Sequence, residues 1–131
     1  MSRENVELVR RIGAGWSRGD FSDVGWAHPQ IVFRTPEALG AREVCGVEAM
    51  AREWADWLRS FEGFRSVPFE YFDAGDQVVT FNHFGGTGKG SGLPMSEIPG
   101  CARFRLRDGK VVELEIGTDR KQILRDAGLE P

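Results

Sequence analysis

The stretch ARFRLRDGKVVELEIG at residues 102–117 decides the fold class of this chain. Apolar residues alternate with arginines in its first half and with glutamates in its second half. A period of two is typical of strands that bury one face, and the Asp108-Gly109 pair favours a tight turn between them. The stretch therefore predicts a β-hairpin. The residues predicted to face inward are Ala102, Phe104, Leu106, Val112, Leu114 and Ile116.

The other face of this hairpin is charged. Arg103 and Arg105 on the first strand are predicted to lie opposite Glu113 and Glu115 on the second. Each such cross-strand pair is worth roughly 0.2–1 kcal/mol, so the charges favour antiparallel pairing. We expect this charged face to point away from the core.

Size and composition limit the classes of protein that this chain can be. Its 131 residues fit one domain, and 17 basic and 20 acidic residues give a net charge of −3 with no basic stripe for nucleic acid. No apolar run of about 18 residues predicts a membrane span, so we expect a cytoplasmic protein with no membrane partner. Cys45 and Cys101 are far apart and are expected to be reduced, partly buried thiols.

The elements before and after the hairpin follow from apolar spacing and turn residues. Helices are predicted at about residues 3–18, capped by Ser2, and from residue 47 to residue 61, before Gly63; strands are predicted at residues 31–35, 67–72 and 77–84. Residues 21–26 are expected to form a short helical turn, residues 36–46 a polar connection, and residues 85–92 a flexible connection. A last helix begins after Thr118 or Asp119 and ends at Gly128. Helices that precede a meander of antiparallel strands indicate an α+β domain with the helices on one face of a curved sheet.

Four motifs in this order resemble a SnoaL-like protein of the nuclear transport factor 2-like superfamily. They are WSRGD at 16–20, DAGDQVV at 73–79, LRDGKVV at 106–112 and the Asp119-Arg120 pair. The resemblance covers nearly the whole chain and implies a single domain over residues 1–131. It implies a cone-shaped barrel in which a curved, mainly antiparallel sheet wraps around a long helix, with N-terminal helices and a short C-terminal helix. It also implies an internal pocket and a homodimer joined through the outer sheet face.

The resemblance does not extend to two catalytic sets known in this superfamily. Steroid isomerases use a tyrosine, an aspartate base and a protonated aspartic acid, and the matching positions here hold Ile12, Thr35 and Ala102, none of which transfers a proton at neutral pH. Limonene-epoxide-hydrolase-like members use an arginine, two aspartates, a tyrosine and an asparagine around a water. The matching positions here hold Asn82, Phe84, Ile116, Phe33 and Thr35.

The candidates for proton transfer depend on strand parity. Asn82 shares parity with Phe84 and is predicted to face the pocket, which leaves His83 on the outer face. A slip of one residue would exchange the two faces, and His83 would then be a candidate base because its ordinary pKa lies near 6.5. Tyr71 is the only tyrosine, and the strand at residues 67–72 is apolar on both faces, so its orientation stays open.

Metal and nucleotide sites are weakly supported. His28 and His83 have no neighbouring cysteine or paired carboxylate, so no metal site is predicted. The glycine-rich run at residues 85–92 lacks the Gly-Lys-Ser/Thr order and the following helix of a phosphate-binding loop. We therefore expect no cofactor.

The remaining candidate site is an apolar pocket. Aromatic residues are spread over every predicted element that faces the sheet, and the small residues Ala102 and Gly117 are expected to enlarge the space between them. The predicted pocket residues are Ile12, Trp16, Phe33, Thr35, Trp54, Asn82, Phe84, Ala102, Phe104 and Ile116. The sequence favours a homodimer that binds a small hydrophobic or aromatic molecule. Two alternatives stay open: a cofactor-independent cyclase or isomerase, with His83 or a carboxylate as base and His83 and Tyr71 as the weak catalytic candidates, and a non-catalytic dimeric interaction module.

Overall fold

The computed structural model describes residues 2–35 and 42–130, which form helices and strands. Their bounds are α1 Ser2–Ser17, β1 Ala27–Thr35, β2 Arg42–Cys45, α2 Val47–Leu58, β3 Phe61–Asp73, β4 Gln77–Gly88, a 3₁₀-helix Met95–Glu97, β5 Pro99–Arg107, β6 Lys110–Gly117 and α3 Arg120–Asp126. The predicted α+β class is confirmed.

The described strands form one sheet in the order β2-β1-β6-β5-β4-β3. All neighbours pair antiparallel except β1 and β6, which are parallel. The sheet curls around α1 and α2, which pack on its inner face and supply buried residues such as Trp16 and Trp54 to the main core. This is the expected cone-shaped arrangement.

The hairpin at residues 102–117 forms as predicted. Arg103 pairs with Glu115 and Arg105 with Glu113 across β5 and β6. One inward residue differs from the prediction: Val111 is fully buried, whereas Val112 is only half-buried. The register between the strands shifts after Arg105, so one β6 residue is left without a partner and the alternation moves by one position.

The third helix packs on the opposite face of the sheet, so the expectation that all helices share one face is wrong. Ile123, Leu124 and Ala127 of α3 pack with Val79 and Cys101 in a second, smaller core. The predicted caps of this helix are confirmed. The Asp119 side chain accepts a hydrogen bond from the Gln122 N–H at 3.1 Å, and Gly128 follows the helix with a φ of +78°.

Residues 21–26 form an irregular segment that ends in a turn, instead of the predicted helical turn. The Asp20 carboxylate accepts the Ser22 N–H and the Asp23 carboxylate accepts the Gly25 N–H, so short aspartate side chains replace helical hydrogen bonds. Strand β1 then begins at Ala27 and continues through the His28-Pro29 pair. The strand is therefore longer than the predicted one at residues 31–35.

The predicted connection at residues 36–46 contains the edge strand β2, which pairs with the end of β1. The part of this prediction that falls on residues 36–41 lies outside the described residues. Helix α2 ends at Leu58, because Phe61 already begins β3, so the helix is shorter than predicted. Strands β3 and β4 are both longer than predicted, since irregular register after Glu62 and Pro68 lets pairing continue through them.

Half of the glycine-rich run is strand, which corrects the predicted flexible connection. Residues 85–88 belong to β4, and only residues 89–92 form the turn region. Gly86 has a φ of +93°, and a Cβ there would lie 2.6 Å from the Glu62 carbonyl oxygen. Only glycine satisfies both constraints at this bulge.

The two cysteines differ in their exposure to solvent. Cys45 is exposed and Cys101 is buried, so neither thiol is partly buried as expected; both are free. None of the helices in the described residues is long and apolar enough to cross a membrane.

Candidate functional site

A cavity of about 220 Å³ opens between α2 and the strands β1 and β6. We call it the outer pocket. Its apolar walls are aromatic rings and an isoleucine, and its charged residues come from β2 and α2. The lining residues are Phe33, Thr35, Arg42, Glu53, Trp54, Asp56, Trp57 and Ile116.

A second space lies deeper, between α1, α2 and the sheet. We call it the inner gap. Its volume of about 10 Å³ is at the lower limit of what holds one water molecule. The lining residues are Trp16, Phe21, Trp54, Trp57, Phe64, Ser66, Phe84 and Ile116. The barrel interior is therefore nearly filled, and the open space lies toward the mouth.

The two spaces share the side chains of Trp54, Trp57 and Ile116. The two tryptophans are three residues apart on α2 and so lie on the same side of the helix. Trp54 is buried against the Trp16 ring at 5.3 Å and the Phe33 ring at 5.4 Å between centroids. Together the three shared residues form a partition between the outer pocket and the inner gap.

A buried chain of polar side chains ends at the inner gap. The Thr80 hydroxyl donates to Asn82 Oδ1 at 2.6 Å, and Asn82 Nδ2 donates to Ser66 Oγ at 2.7 Å. All three side chains are buried, so each hydrogen bond offsets the cost of removing a polar group from water. Of these three hydrogen-bonded residues, Ser66 is the one that lines the inner gap.

The charges of the outer pocket lie at its mouth. Arg42 Nε is 3.8 Å from Glu53 Oε2, and the Arg42 backbone N–H donates to Thr35 Oγ1 at 3.1 Å. Asp56 pairs with Arg59 at 3.0 Å. Glu53 is the less exposed of the two carboxylates, with 23% of its side-chain surface accessible against 64% for Asp56. The described residues that line the inner gap include no acid or base.

The structure brings some of the predicted pocket residues together and separates others. Those at the outer pocket or the inner gap are Trp16, Phe33, Thr35, Trp54, Phe84 and Ile116. The others are buried but line neither space: Ile12, Asn82, Ala102 and Phe104. The expectation that Gly117 enlarges the pocket is wrong, because a Cβ there would lie 2.9 Å from Cys101 Sγ and 3.2 Å from Ile123 Cδ1, under α3 on the opposite face.

The two weak catalytic candidates lie away from both spaces. His83 is exposed on the outer face and stacks on Phe69 with 4.1 Å between ring centroids. The Tyr71 ring lies 4.3 Å below the Arg10 guanidinium, beside α1. Burial raises the pKa of Tyr71 above its ordinary value, although the Arg10 charge opposes this.

His28 has a local role, because its Nδ1 accepts the Gln30 N–H at 3.0 Å. No group of three His, Cys, Asp or Glu residues suited to a metal ion occurs within residues 2–35 and 42–130. Residues that the sequence prediction did not assign to the site are Arg42, Glu53, Asp56, Trp57, Phe21, Phe64 and Ser66. The signal for part of this set was present: Glu53, Trp54, Asp56 and Trp57 recur at helical spacing on one side of α2.

The outer sheet face carries a buried arginine. Arg103 donates to Glu115 at 3.0 Å, to Gln77 at 2.8 Å and to Glu113. Burial would raise the pKa of Glu113, but the hydrogen bonds and charges of Arg103 and Arg34 outweigh it and lower that pKa. The charged face predicted at the hairpin is therefore an interlocked network.

The comparisons with known proteins agree with this architecture. The model of the SnoaL-like domain matches residues 9–114, and no match to a curated protein was found. A ketosteroid-isomerase-like protein from Catenulispora acidiphila, solved with trimethylamine, is 18% identical with a TM-score of 0.72 and covers 94% of this chain and 93% of its own. TerC, co-crystallised with polyporic acid, is 22% identical with a TM-score of 0.75 and covers 95% of this chain and 98% of its own.

A nuclear transport factor 2-like protein of unknown function from Burkholderia pseudomallei is 17% identical with a TM-score of 0.74 and covers 93% and 95% of the two chains. At these identities the structural likeness establishes the fold and leaves the chemistry open. The family model spans most of the chain, and the sheet, helices and hairpin match its fold. The chain belongs to the SnoaL-like domain family, and it shares its fold with structures described as nuclear transport factor 2-like.

Proposed function

We propose that this protein binds a small, largely apolar or aromatic molecule in the outer pocket. The observation that carries the proposal is the cavity of about 220 Å³ with Phe33, Trp54, Trp57 and Ile116 in its walls. A concave, mainly apolar site with a few polar groups is the usual composition of a small-molecule site. Flat aromatic rings contribute both buried area and stacking geometry to such a ligand.

The relatives support a binding role in the same fold. The Catenulispora acidiphila protein was solved with trimethylamine and TerC with polyporic acid. Both names describe small organic molecules, one of them an amine and the other an acid. The ligand of the present chain is left open by this range, so the test uses a panel of neutral aromatic compounds.

Tryptophan emission and thermal unfolding test the proposal. Two of the chain's four tryptophans line the outer pocket, so naphthalene or 1-naphthol should quench their emission. At ten times Kd, a ligand that binds only the folded state adds about 1.4 kcal/mol, which for a domain of this size raises Tm by about 5 °C. We expect both effects.

A blocking variant makes this test specific. Ile116→Trp places a larger side chain in the pocket wall and should abolish quenching and the Tm rise. Lys121→Trp, on the exposed surface of α3, adds a tryptophan without filling the pocket and should behave like the parent chain. Binding that survives Ile116→Trp unchanged would contradict the location, and no binding across the panel would favour the interaction module instead.

Proton-transfer catalysis is the second candidate, and Glu53 favours it. Its carboxylate lines the outer pocket and is only partly exposed, as a general base beside an apolar ligand would be. If it acts so, the protein should speed deuterium exchange at the α-carbon of 2-tetralone in D₂O, followed by NMR. Glu53→Gln should remove the acceleration, whereas exchange at the uncatalysed rate in the parent chain would count against an enzyme of this type.

We propose that the protein is a homodimer joined through the outer sheet face. Phe69 is 45% exposed on this face, which also carries the network of Arg103, Arg105 and Glu113. Arg105 Nε is buried and has no partner among the described residues, which a second chain would supply. Light scattering at micromolar concentration should give the mass of two chains. Arg105→Glu should shift the protein toward one chain and Arg52→Glu, the same change on α2, should not.

A further inference from the structure

We propose that the binding site extends past Trp57 to the Ser66 hydroxyl, so that the preferred ligand is a planar molecule with a hydrogen-bond acceptor oxygen at its inner end. A ketone or ether oxygen has this chemistry. The inference rests on the proposed binding function and adds to it the depth of the site and the class of ligand. Two observations carry it: the unequal packing of the partition residues and the direction of the buried hydrogen bonds.

The two tryptophans of the partition are held very differently. Trp54 is buried among the rings of Trp16, Phe21, Trp26 and Phe33. These four ring contacts restrict its rotation. It is a fixed wall of the site.

Trp57 is half-buried and touches Phe61 and Phe64 edge to face, at 5.0 and 4.6 Å between centroids. Its other side borders a groove of about 380 Å³ that runs between the end of α2 and the loop before β5. The groove is lined mostly by apolar residues, and Glu97, a charged residue in its lining, is exposed to solvent, so the indole can enter the groove largely against apolar surface. Trp57 is therefore the movable part of the partition.

Rotation of Trp57 into the groove would join the outer pocket to the inner gap, because this side chain borders all three spaces. The joined site would reach from the charged mouth at Glu53 to Ser66 on β3. Its walls beyond the charged mouth would be mostly aromatic, which favours a flat ligand over a bulky one.

The hydrogen bonds around Asn82 determine what Ser66 offers. Thr80 donates to the Asn82 oxygen, and the Asn82 amide nitrogen donates to Ser66 Oγ. Ser66 Oγ thus acts as an acceptor toward Asn82, and no hydrogen bond within residues 2–35 and 42–130 takes up its own proton, which can go to a ligand acceptor on the side of the gap. A ligand oxygen placed there gains one hydrogen bond in a dry, aromatic setting, whereas a methylene at the same place gains none.

Fluorene and 9-fluorenone test this inference, since they differ by a methylene against a carbonyl in the same planar skeleton. One hydrogen bond changes Kd by about two- to tenfold. We expect the ratio of the fluorene Kd to the fluorenone Kd to fall by this factor in Ser66→Ala. If that variant does not fold, Ser66→Cys, of similar size and with a weaker donor, should lower the ratio in the same direction. An unchanged ratio in a folded Ser66 variant would overturn the role of Ser66.

The rate of ligand association tests whether Trp57 is the movable part of the partition. If the open position of Trp57 is populated at about 10% or less, association must wait for it, so Trp57→Ala should speed stopped-flow association of fluorenone by about tenfold or more. Trp26→Phe is the matched control, because Trp26 is buried and lines none of the spaces that Trp57 borders. Equal association rates in the parent chain and Trp57→Ala would overturn the partition.

These results separate the inference from the proposed function. Binding of both tricyclic compounds to the parent chain, with no effect of changes at Ser66 and Trp57, would refute the deeper site and leave binding in the outer pocket. Failure of the parent chain, as well as of every variant, to bind fluorene, fluorenone or naphthalene would refute the proposed function itself.

Discussion

Two arginines two residues apart on β5 should differ sharply in their contribution to stability. Arg103 is 5% exposed and its guanidinium donates to Glu113, Glu115 and Gln77. Arg105 faces the same way, but its side chain is 43% exposed in the single chain, and its ion pair among the described residues is to Glu113 at 4.0 Å. The same substitution at each site therefore compares a buried network with a surface pair.

The structure sets the expected magnitude. Breaking a buried ion pair by removing one partner costs about 3–5 kcal/mol, because the remaining charge stays buried without compensation. After Arg103→Met, Glu113 keeps Arg34 at 3.0 Å, and Glu115 is partly exposed, so we expect the lower end, about 3 kcal/mol. Arg105→Met should cost less than about 1 kcal/mol, the range of exposed pairs.

Urea unfolding followed by circular dichroism measures both variants. For a chain of this size, about 3 kcal/mol corresponds to a fall in Tm of about 10 °C. The loss in Arg103→Met should not depend on protein concentration, whereas a loss that arises from a weakened dimer should. Equal losses in the two variants, or less than about 1 kcal/mol for Arg103→Met, would refute the role assigned to the buried network.

Acid titration, thiol labelling and a glycine substitution test three other features of the structure. The pKa of Glu113 lies below its ordinary value of 4.5, so the stability that this carboxylate contributes is complete above pH 4.5 and is lost as the pH falls through the lower, folded-state pKa. The free energy of unfolding should therefore fall more steeply with acid for the parent chain than for Arg103→Met. Equal slopes would contradict this role of Glu113. Burial raises the pKa of Cys101 to about 12, whereas Cys45 is exposed, so a thiol reagent at pH 8 should modify one cysteine in the native protein and two in denaturant. Gly117→Val should destabilise the protein by about 1–3 kcal/mol in urea unfolding, since the added atoms meet Cys101 and α3, while an unchanged midpoint would show that the helix yields.

The sequence predicted best those elements whose signals are local. The hairpin at residues 102–117 has strict alternation on both sides of an Asp-Gly turn, and the last helix has both an aspartate cap and a terminal glycine. Such signals act within a few residues and need no knowledge of the rest of the fold. Both elements formed where they were expected.

Elements that depend on distant partners were missed or misplaced. Strand β2 has four residues, three of them exposed, and it exists because the end of β1 offers an unpaired edge. Strand β3 passes two irregularities that alternation alone cannot anticipate, and Phe69 lies unpaired at the second. Tertiary pairing decided these regions, and the sequence pattern carried little trace of it.

The candidate site was predictable as a set of inward aromatic residues but not as a shape. Parity correctly placed Asn82 inside and His83 outside. Whether Phe104 fills the core or borders a cavity depends on how tightly the rings pack, and its stacking on Trp16 at 5.7 Å fills that part of the interior. The charged mouth was missed because Arg42 reaches it only through the unpredicted strand β2.

The parallel pairing of β1 with β6 has a consequence for how the chain acquires its structure. Strand β1 is the first of the described strands in the sequence, and its inner neighbour in the sheet, β6, is the last of them. Until β6 is available, no strand pairs β1 and β2 with β5, β4 and β3. The sheet then exists as two separate pieces with open edges. Pairing across such a sequence separation slows folding, and a nascent chain in which β6 has not yet been made exposes these open edges to association with other chains.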